Sequence, residues 1–298
     1  MNLGRLPRLP ARTVQVVDSR CALAESPLWM PDTAELRWVD AVRGELHTLR
    51  PGGHEHRPVA AGVVSAVAAE TGGGLVLTVD RQVLRRADGP GGPATVLARI
   101  PDRPAGIRFN DAKAGPDGRL WAGTVCPGQP GAAALWSIDP TGETVRHWTG
   151  ISHGNGIAWS PSGDTMFFVD SGEGTVSRAA FSHSGGVGAR EVIARISNGI
   201  PDGLTVDAQA DLWLAVWGAG CLVRLRADGT PVGRVDLPDR NVTSCAFAGR
   251  DLDLLAVTTA ADDVDPAGGG GSVYLLDVGR CGIAGYLFGT TAGRSGDH

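Results

Sequence analysis

Four oxygen-bearing side chains occupy the same position in four separate repeats of the chain. Counting back 10 or 11 residues from the start of a recurring β-rich segment leads to Glu25, Asn110, Asn155 and Asp202. Carboxylate and carboxamide oxygens suit hard divalent cations such as Ca²⁺, Mg²⁺ and Mn²⁺, and Zn²⁺ can also use them. Two carboxylates placed together repel each other, and a bound divalent cation offsets that repulsion. The pattern therefore predicts one divalent metal ion held by residues from distant parts of the chain.

Each of these residues also has an ordinary structural explanation. Asn155-Gly156 and Pro201-Asp202-Gly203 are typical of tight turns, and Glu25 before Ser26-Pro27 is typical of a solvated loop. What favours a common site is the shared position within the repeat, because equivalent positions of a repeat converge in space.

Arg108 precedes Asn110 by two residues, so both side chains would lie on the same side of a strand. A guanidinium group beside a metal site can bind the carboxylate or hydroxyl oxygens of a ligand. The alternative is an ion pair between Arg108 and Asp111 or another acid of the rim. His153 is interpreted either as a supporting group or as a residue of the rim. His54 and His56 are interpreted as solvated residues of a charged loop.

A repeated β-rich unit would position these residues. The second strand of the unit begins near residues 36, 75, 120, 166, 212 and 252, a spacing of 39 to 46 residues. That period is typical of a four-stranded propeller blade. Turn sequences such as Pro116-Asp117-Gly118 and Pro161-Ser162-Gly163 precede these strands. We predict an all-β fold, a six-bladed β-propeller, because a β-sandwich would not need so regular a repeat.

Six repeats fill the chain, so we expect one domain over residues 1–298. Residues 1–12 and 289–298 are expected to be loose terminal segments, and the glycine run 268–271 is expected to lie in a long loop of the last blade. Strands at 13–18 and 283–288 are expected to pair and close the ring, which would remove an exposed sheet edge.

The composition argues against several classes of function. A net charge of −5 disfavours a nucleic-acid partner, and no run approaches the ~18 apolar residues of a membrane span. The five cysteines are scattered singly, which suits reduced thiols in the cytoplasm. No G-x-S-x-G motif supports a serine hydrolase. We expect a cytoplasmic protein without nucleic-acid or membrane partners.

Several segments resemble signatures of the gluconolactonase, regucalcin (senescence marker protein) and luciferin-regenerating enzyme family. They are Ala24-Glu25-Ser26-Pro27-Leu28-Trp29, Arg108-Phe109-Asn110-Asp111, Asn155-Gly156-Ile157-Ala158-Trp159-Ser160-Pro161 and Pro201-Asp202-Gly203-Leu204-Thr205-Val206-Asp207. The resemblance implies a six-bladed propeller with Glu25, Asn155 and Asp202 as metal ligands. It also implies Arg108 and Asn110 as substrate-binding residues, and Asp202 as the catalytic general base.

The resemblance further implies a metal-dependent hydrolase that opens a small sugar-derived lactone, with Ca²⁺, Zn²⁺, Mn²⁺ or Mg²⁺ as the ion. Members like regucalcin carry a sugar-binding glutamate about twenty residues after the arginine, whereas this chain has Cys126-Pro127-Gly128-Gln129-Pro130. The identity of the lactone therefore stays open. The alternatives are a different ester, phosphotriester or biosynthetic substrate on the same scaffold, or a non-enzymatic calcium-binding propeller.

Overall fold

The computed structural model of the protein describes residues 1–87, 92–184, 186–261 and 269–289. Within these ranges, a single 3₁₀ turn at Leu3–Arg5 accompanies 25 β-strands. The strands are β1 (Arg12–Val17), β2 (Ala24–Met30), β3 (Glu35–Asp40), β4 (Glu45–Arg50), β5 (Gly53–Pro58), β6 (Val64–Glu70), β7 (Gly74–Val79), β8 (Gln82–Ala87), β9 (Ala94–Arg99), β10 (Arg108–Ala114), β11 (Leu120–Val125), β12 (Ala133–Ile138), β13 (Thr144–Ile151), β14 (Gly154–Trp159), β15 (Thr165–Asp170), β16 (Thr175–Ser182), β17 (Gly186–Val187), β18 (Glu191–Arg195), β19 (Ile200–Val206), β20 (Leu212–Trp217), β21 (Cys221–Leu225), β22 (Pro231–Asp236), β23 (Asn241–Ala248), β24 (Leu254–Ala260) and β25 (Val273–Asp277). No helix in the described ranges is long and apolar enough to cross a membrane.

The strands pair into six antiparallel sheets, one for each repeat seen in the sequence. Blades one, two, three and five are β2–β5, β6–β9, β10–β13 and β19–β22, each in simple sequential order. Blade four is β14–β16, with both β17 and β18 paired to β16, and blade six is β23–β25 with β1 on its outer edge. The innermost strands β2, β6, β10, β14, β19 and β23 contact one another in turn, and β23 returns to contact β2. The predicted six-bladed propeller is confirmed.

The second strand of each blade is buried on both faces because each blade packs between two others. β11 and β20, for example, are nearly continuous runs of buried residues rather than alternating ones. Among the described residues, the hydrophobic core divides into six clusters, each of which lies between two neighbouring blades. The turns before these strands use left-handed glycines, as at Gly118 and Gly163, both with φ of +74°.

The ring closes through β1 and β25. These strands are antiparallel partners from Arg12 opposite Asp277 to Val17 opposite Val273. The prediction that residues 283–288 supply the partner is wrong, because the strand that pairs with β1 is formed by residues 273–277. The chain beyond this strand is irregular and leads to blade two, where Phe288 bridges to Glu70 and is fully buried.

The first twelve residues are more closely attached than the sequence predicts. Leu3 is buried in the core cluster between blades four and five, and the Leu9 N–H donates a 2.7 Å hydrogen bond to the Arg234 carbonyl. Part of this segment therefore packs on blade five. Residues 262–268 of the predicted long loop and residues 290–298 of the predicted tail lie outside the described residues, and the single-domain assignment stays a prediction.

Candidate functional site

All five predicted site residues lie near the beginning of innermost strands, at one mouth of the central channel. Glu25 is the second residue of β2, and Arg108 and Asn110 are the first and third residues of β10. Asn155 is the second residue of β14, and Asp202 is the third residue of β19. The ring of blades thus brings together residues from four repeats, as their shared position in the repeat predicts.

A β-bulge occurs at this point of every innermost strand. The register with the second strand shifts at Glu25/Leu28, Val64/Ala66, Phe109/Asp111, Gly154/Ile157, Pro201/Leu204 and Val242/Ser244. Asn110, Asn155 and Asp202 are among the residues that the ladder leaves without an opposite partner. Bulges re-aim side chains and are common beside active sites. The sequence analysis did not foresee them, although Gly156 and Gly203 directly after the polar residues are a signal for bulges.

The bulges of neighbouring blades touch each other through these glycines. A Cβ atom on Gly156 would lie 2.6 Å from the Asp202 carbonyl oxygen and 2.8 Å from the Leu204 nitrogen. A Cβ atom on Gly203 would lie 2.6 Å from the Cβ of Ser244. Glycine is therefore required at both positions by close approach of the backbones, and this approach sets the spacing of the channel mouth.

The mouth brings together three carboxylates, of which Asp111 and Asp202 are buried and Glu25 is half-buried. Burial raises the pKa of Asp202 well above its usual range, and the charge of Asp111 raises it further. Burial likewise raises the pKa of Glu25, with additional contributions from the Asp202 and Asp111 charges. The Oδ1 atom of Asp202 is buried and has no hydrogen-bond partner among the described residues. A buried carboxylate oxygen without a partner costs free energy, which a cation at this point would offset.

Asn155 is fixed by a chain of hydrogen bonds from the neighbouring strands. Its Nδ2 donates to Ser171 Oγ at 3.1 Å, and that hydroxyl donates to the Pro201 carbonyl at 2.6 Å. Since the amide nitrogen is used in this way, the amide oxygen is the atom left to act as a ligand. Asn155 is buried, as is Ser171, so this arrangement is shielded from competing water.

Arg108 is held by the same strand on which it lies. Its Nη1 donates to Asn110 Oδ1 at 3.1 Å and to the Phe109 carbonyl at 3.0 Å, and Asn110 Nδ2 donates to the Gly154 carbonyl at 3.1 Å. Burial lowers the pKa of Arg108, and the Asp80 charge counteracts this. The alternative ion pair with Asp111 does not form among the described residues. Arg108 and Asn110 therefore form one hydrogen-bonded unit that is anchored to blade four.

Two charged residues in the channel, Asp111 and Lys113, were not predicted as site residues. Asp111 is buried, and its pKa is raised by burial although Lys113 counteracts this. The Lys113 Nζ donates to the Leu204 carbonyl at 3.0 Å and so crosses from blade three to blade five. Burial lowers the pKa of Lys113. The available signal was the spacing of two between Asp111 and Lys113, which places both side chains on the same face of β10.

His153 and the loop after β11 lie beside Arg108. Burial lowers the pKa of His153, and the Arg108 charge lowers it further, which favours the neutral imidazole near the site. Val125 at the end of β11 is opposite Arg108 in the ladder, and residues 127–130 directly after it are exposed. Gln129 thus lies in an exposed loop near Arg108. This is the segment in which members like regucalcin carry a sugar-binding glutamate and this chain has no acid.

Comparisons with known proteins identify the family to which the chain belongs. Residues 23–261 match the model of the SMP-30/Gluconolactonase/LRE-like region. The chain is 38% identical to pentonolactonase XacC of Haloferax volcanii, over 90% of this chain and 95% of the relative. Among solved structures it resembles the calcium-binding protein regucalcin of Agrobacterium tumefaciens, with 27% identity, coverage of 95% and 98% of the two chains and a TM-score of 0.86. A luciferin-regenerating enzyme has 26% identity, coverage of 92% and 98% and a TM-score of 0.85. The resemblance seen in the sequence is confirmed, and the chain belongs to the SMP-30/gluconolactonase/LRE-like family.

Proposed function

We propose that this protein hydrolyses a small sugar-derived lactone at the channel mouth, with the help of one divalent metal ion. The observation that carries the proposal is the buried Oδ1 atom of Asp202, which has no hydrogen-bond partner within the described part of the chain. A second, half-buried carboxylate, Glu25, lies close enough for the two charges to repel each other. Membership in a family that contains gluconolactonases, and the similarity to a relative named pentonolactonase, support a sugar lactone as substrate.

The residues present fit a divalent ion. Glu25, Asn155 and Asp202 would hold it through oxygen atoms, a donor set that suits Ca²⁺, Mg²⁺ or Mn²⁺ and also permits Zn²⁺. The similarity to a regucalcin described as calcium-binding supports Ca²⁺ as the first ion to test. A bound ion would supply polarisation of the lactone carbonyl and stabilisation of the developing negative charge.

The side chains themselves would bind the lactone and move one proton. Arg108 and Asn110, linked at 3.1 Å, present hydrogen-bonding groups for the ring and hydroxyl oxygens of the substrate. Asp202 would act as the general base that accepts a proton from the attacking water. Opening the ring yields an alcohol and a carboxylic acid.

The residue types in the loop beside Arg108 affect which lactone the site can bind. Residues 127–130 contain no acid, so the hydroxyl groups on that side of the substrate would meet Gln129 or solvent rather than a carboxylate. We therefore include five-carbon as well as six-carbon aldonolactones among the candidate substrates. The pentonolactonase name of the archaeal relative supports this choice.

The test is to strip the protein of metal with a chelator and to assay a panel of pentono- and hexonolactones with Ca²⁺, Mg²⁺, Mn²⁺ and Zn²⁺ added back singly. We expect at least one ion to restore hydrolysis. Asp202→Asn should lower kcat by about 10²–10⁴-fold, the range for loss of a general base, and should weaken metal binding.

The matched control is Asp32→Asn, the same chemical change at an exposed turn between β2 and β3. It should bind metal and turn over substrate as the wild type does. Full hydrolysis by the metal-free protein would contradict the metal requirement. Clear metal binding without turnover of any lactone would indicate a different reaction or a binding role.

A further inference from the structure

Three histidines and a glutamate cluster on the outer hairpin of blade one, which β4 and β5 form. The residues of the channel mouth lie instead on the innermost strands of the blades. β4 and β5 are antiparallel, with His47 opposite His56 and Leu49 opposite His54. Glu45 and His47 are two residues apart on β4, and His54 and His56 are two residues apart on β5, so all four side chains share one face of the hairpin. The prediction that His54 and His56 lie in a loop is wrong, because both belong to a strand.

Two separations between side-chain atoms in this cluster match the ligand spacing of a tetrahedral metal site. Glu45 Oε2 lies 3.6 Å from His47 Nε2 and 3.4 Å from His56 Nδ1. All three ligand atoms lie within 4.8 Å of one another. Ligands at about 2.0–2.2 Å from a tetrahedral zinc ion lie roughly 3.3–3.6 Å apart. The two measured separations also exceed the 2.7–3.2 Å of an ordinary N–H···O hydrogen bond.

His54 orients the most buried of these ligands. The Nδ1 atom of His47 is 3.0 Å from Nε2 of His54. When the Nδ1 proton of His47 is donated to His54, Nε2 of His47 keeps its lone pair for a metal, an arrangement typical of ligating histidines. The rings of His47 and His54 both stack on Trp38, at centroid distances of 5.4 and 5.1 Å, which restricts their rotation.

The cluster is open to solvent on one side. The side chain of His47 is 1% exposed, that of Glu45 20% and that of His56 56%. An ion can therefore enter past His56, and a fourth position remains for water. Three protein ligands with an open fourth position are usual for an accessible zinc site.

Two other interpretations of these residues fit less well. Burial lowers the pKa of His47 to about 4, so at neutral pH His47 is not the cation of a simple ion pair with Glu45. A metal site made from His47, Cys21 and Asp40 is also geometrically available. However, the Asp40 carboxylate already accepts hydrogen bonds from the backbone N–H groups of residues 22, 23, 42 and 43, and burial raises the pKa of Cys21 to about 11.

We propose that Glu45, His47 and His56 form a second metal site, selective for ions that prefer imidazole, such as Zn²⁺, Ni²⁺ and Cu²⁺. This site differs from the channel mouth in its donor set, which is two imidazoles and a carboxylate rather than oxygens alone. A bound ion would link the outermost strand β5 to β4 and thereby stabilise the outer edge of blade one.

The experiment is equilibrium dialysis of metal-free protein against Zn²⁺ at pH 7.5, with Co²⁺ absorption as a probe of tetrahedral coordination. We expect the Asp202→Asn protein, with its channel site weakened, still to bind one Zn²⁺ per chain. Adding His56→Ala or Glu45→Gln to that protein should weaken this binding at least about 100-fold, and adding His54→Ala should weaken it about 10–100-fold.

The control is His183→Ala, which removes an exposed histidine outside the cluster and should leave Zn²⁺ binding unchanged. His56 is more than half exposed, so its replacement should leave the fold intact, which circular dichroism can verify. Unchanged Zn²⁺ affinity in both His56→Ala and Glu45→Gln would overturn the proposal. Because the readout is metal binding, this result is independent of whether the protein hydrolyses lactones.

Discussion

Gly156→Ala tests whether close backbone contact between blades four and five sets the geometry of the channel mouth. The added methyl group would lie 2.6 Å from the Asp202 carbonyl oxygen, 2.8 Å from the Leu204 nitrogen and 3.0 Å from Val169 Cγ2. Ordinary contacts to a Cβ atom begin near 3.4 Å. The two strands must therefore separate by roughly 0.6–0.8 Å, and two of the three obstructing atoms belong to backbone that cannot rotate away. Overpacking of this kind costs about 1–3 kcal/mol of folding free energy.

The same displacement should also reduce function. A shift of about 1 Å in positioned groups can cost 10²-fold in rate, and here the shift falls on the backbone that carries Asp202. We expect the urea midpoint to fall by an amount that corresponds to about 1–3 kcal/mol, and kcat/KM for the best lactone to fall by about 10²-fold. Gly52→Ala is the matched control, because no atom lies within 4 Å of its added Cβ. Wild-type stability and activity in Gly156→Ala would refute the reasoning.

Two further replacements probe the charged groups near the mouth. Arg108→Ala should raise KM for every active lactone and lower kcat/KM by about 10²-fold through lost positioning, as steady-state kinetics can measure; an unchanged KM would show that Arg108 does not bind substrate. Lys113→Met should lower the free energy of unfolding by about 1–3 kcal/mol, since it removes the hydrogen bond to the Leu204 carbonyl and the positive charge that counteracts the burial of Asp111. Chemical denaturation measures this, and a gain in stability would contradict the compensating role.

Most of the fold is readable from the sequence because a propeller repeats one unit. Each blade repeats the same order of strands and turns, so the six second-strand segments predict the observed β3, β7, β11, β15, β20 and β24 to within a few residues. Ring closure is the exception. Which terminal segment pairs with β1 depends on contacts between the two ends of the chain, and a local pattern of apolar residues near 283–288 cannot reveal them.

The candidate site could be predicted from the sequence only in part, for a related reason. Their shared position within the repeat predicted that Glu25, Asn110, Asn155 and Asp202 lie together, because equivalent positions converge in a ring. It could not reveal Lys113, whose partner is a backbone carbonyl on another blade. Nor could it reveal the histidine cluster of blade one, because that cluster depends on the register between β4 and β5.

The pairing of β1 with β25 has a consequence for folding. The partners Val17 and Val273 are separated by 256 residues, and since contacts between distant parts of the chain slow folding, we expect this one to form late. Until it forms, β1 and β25 are unpaired edges, and β1 carries the exposed residues Val14 and Val16. Such edges can pair with another copy of the chain instead. Refolding yield should therefore decline as protein concentration rises, whereas in the closed ring β25 is covered by β1 and no longer presents a free edge.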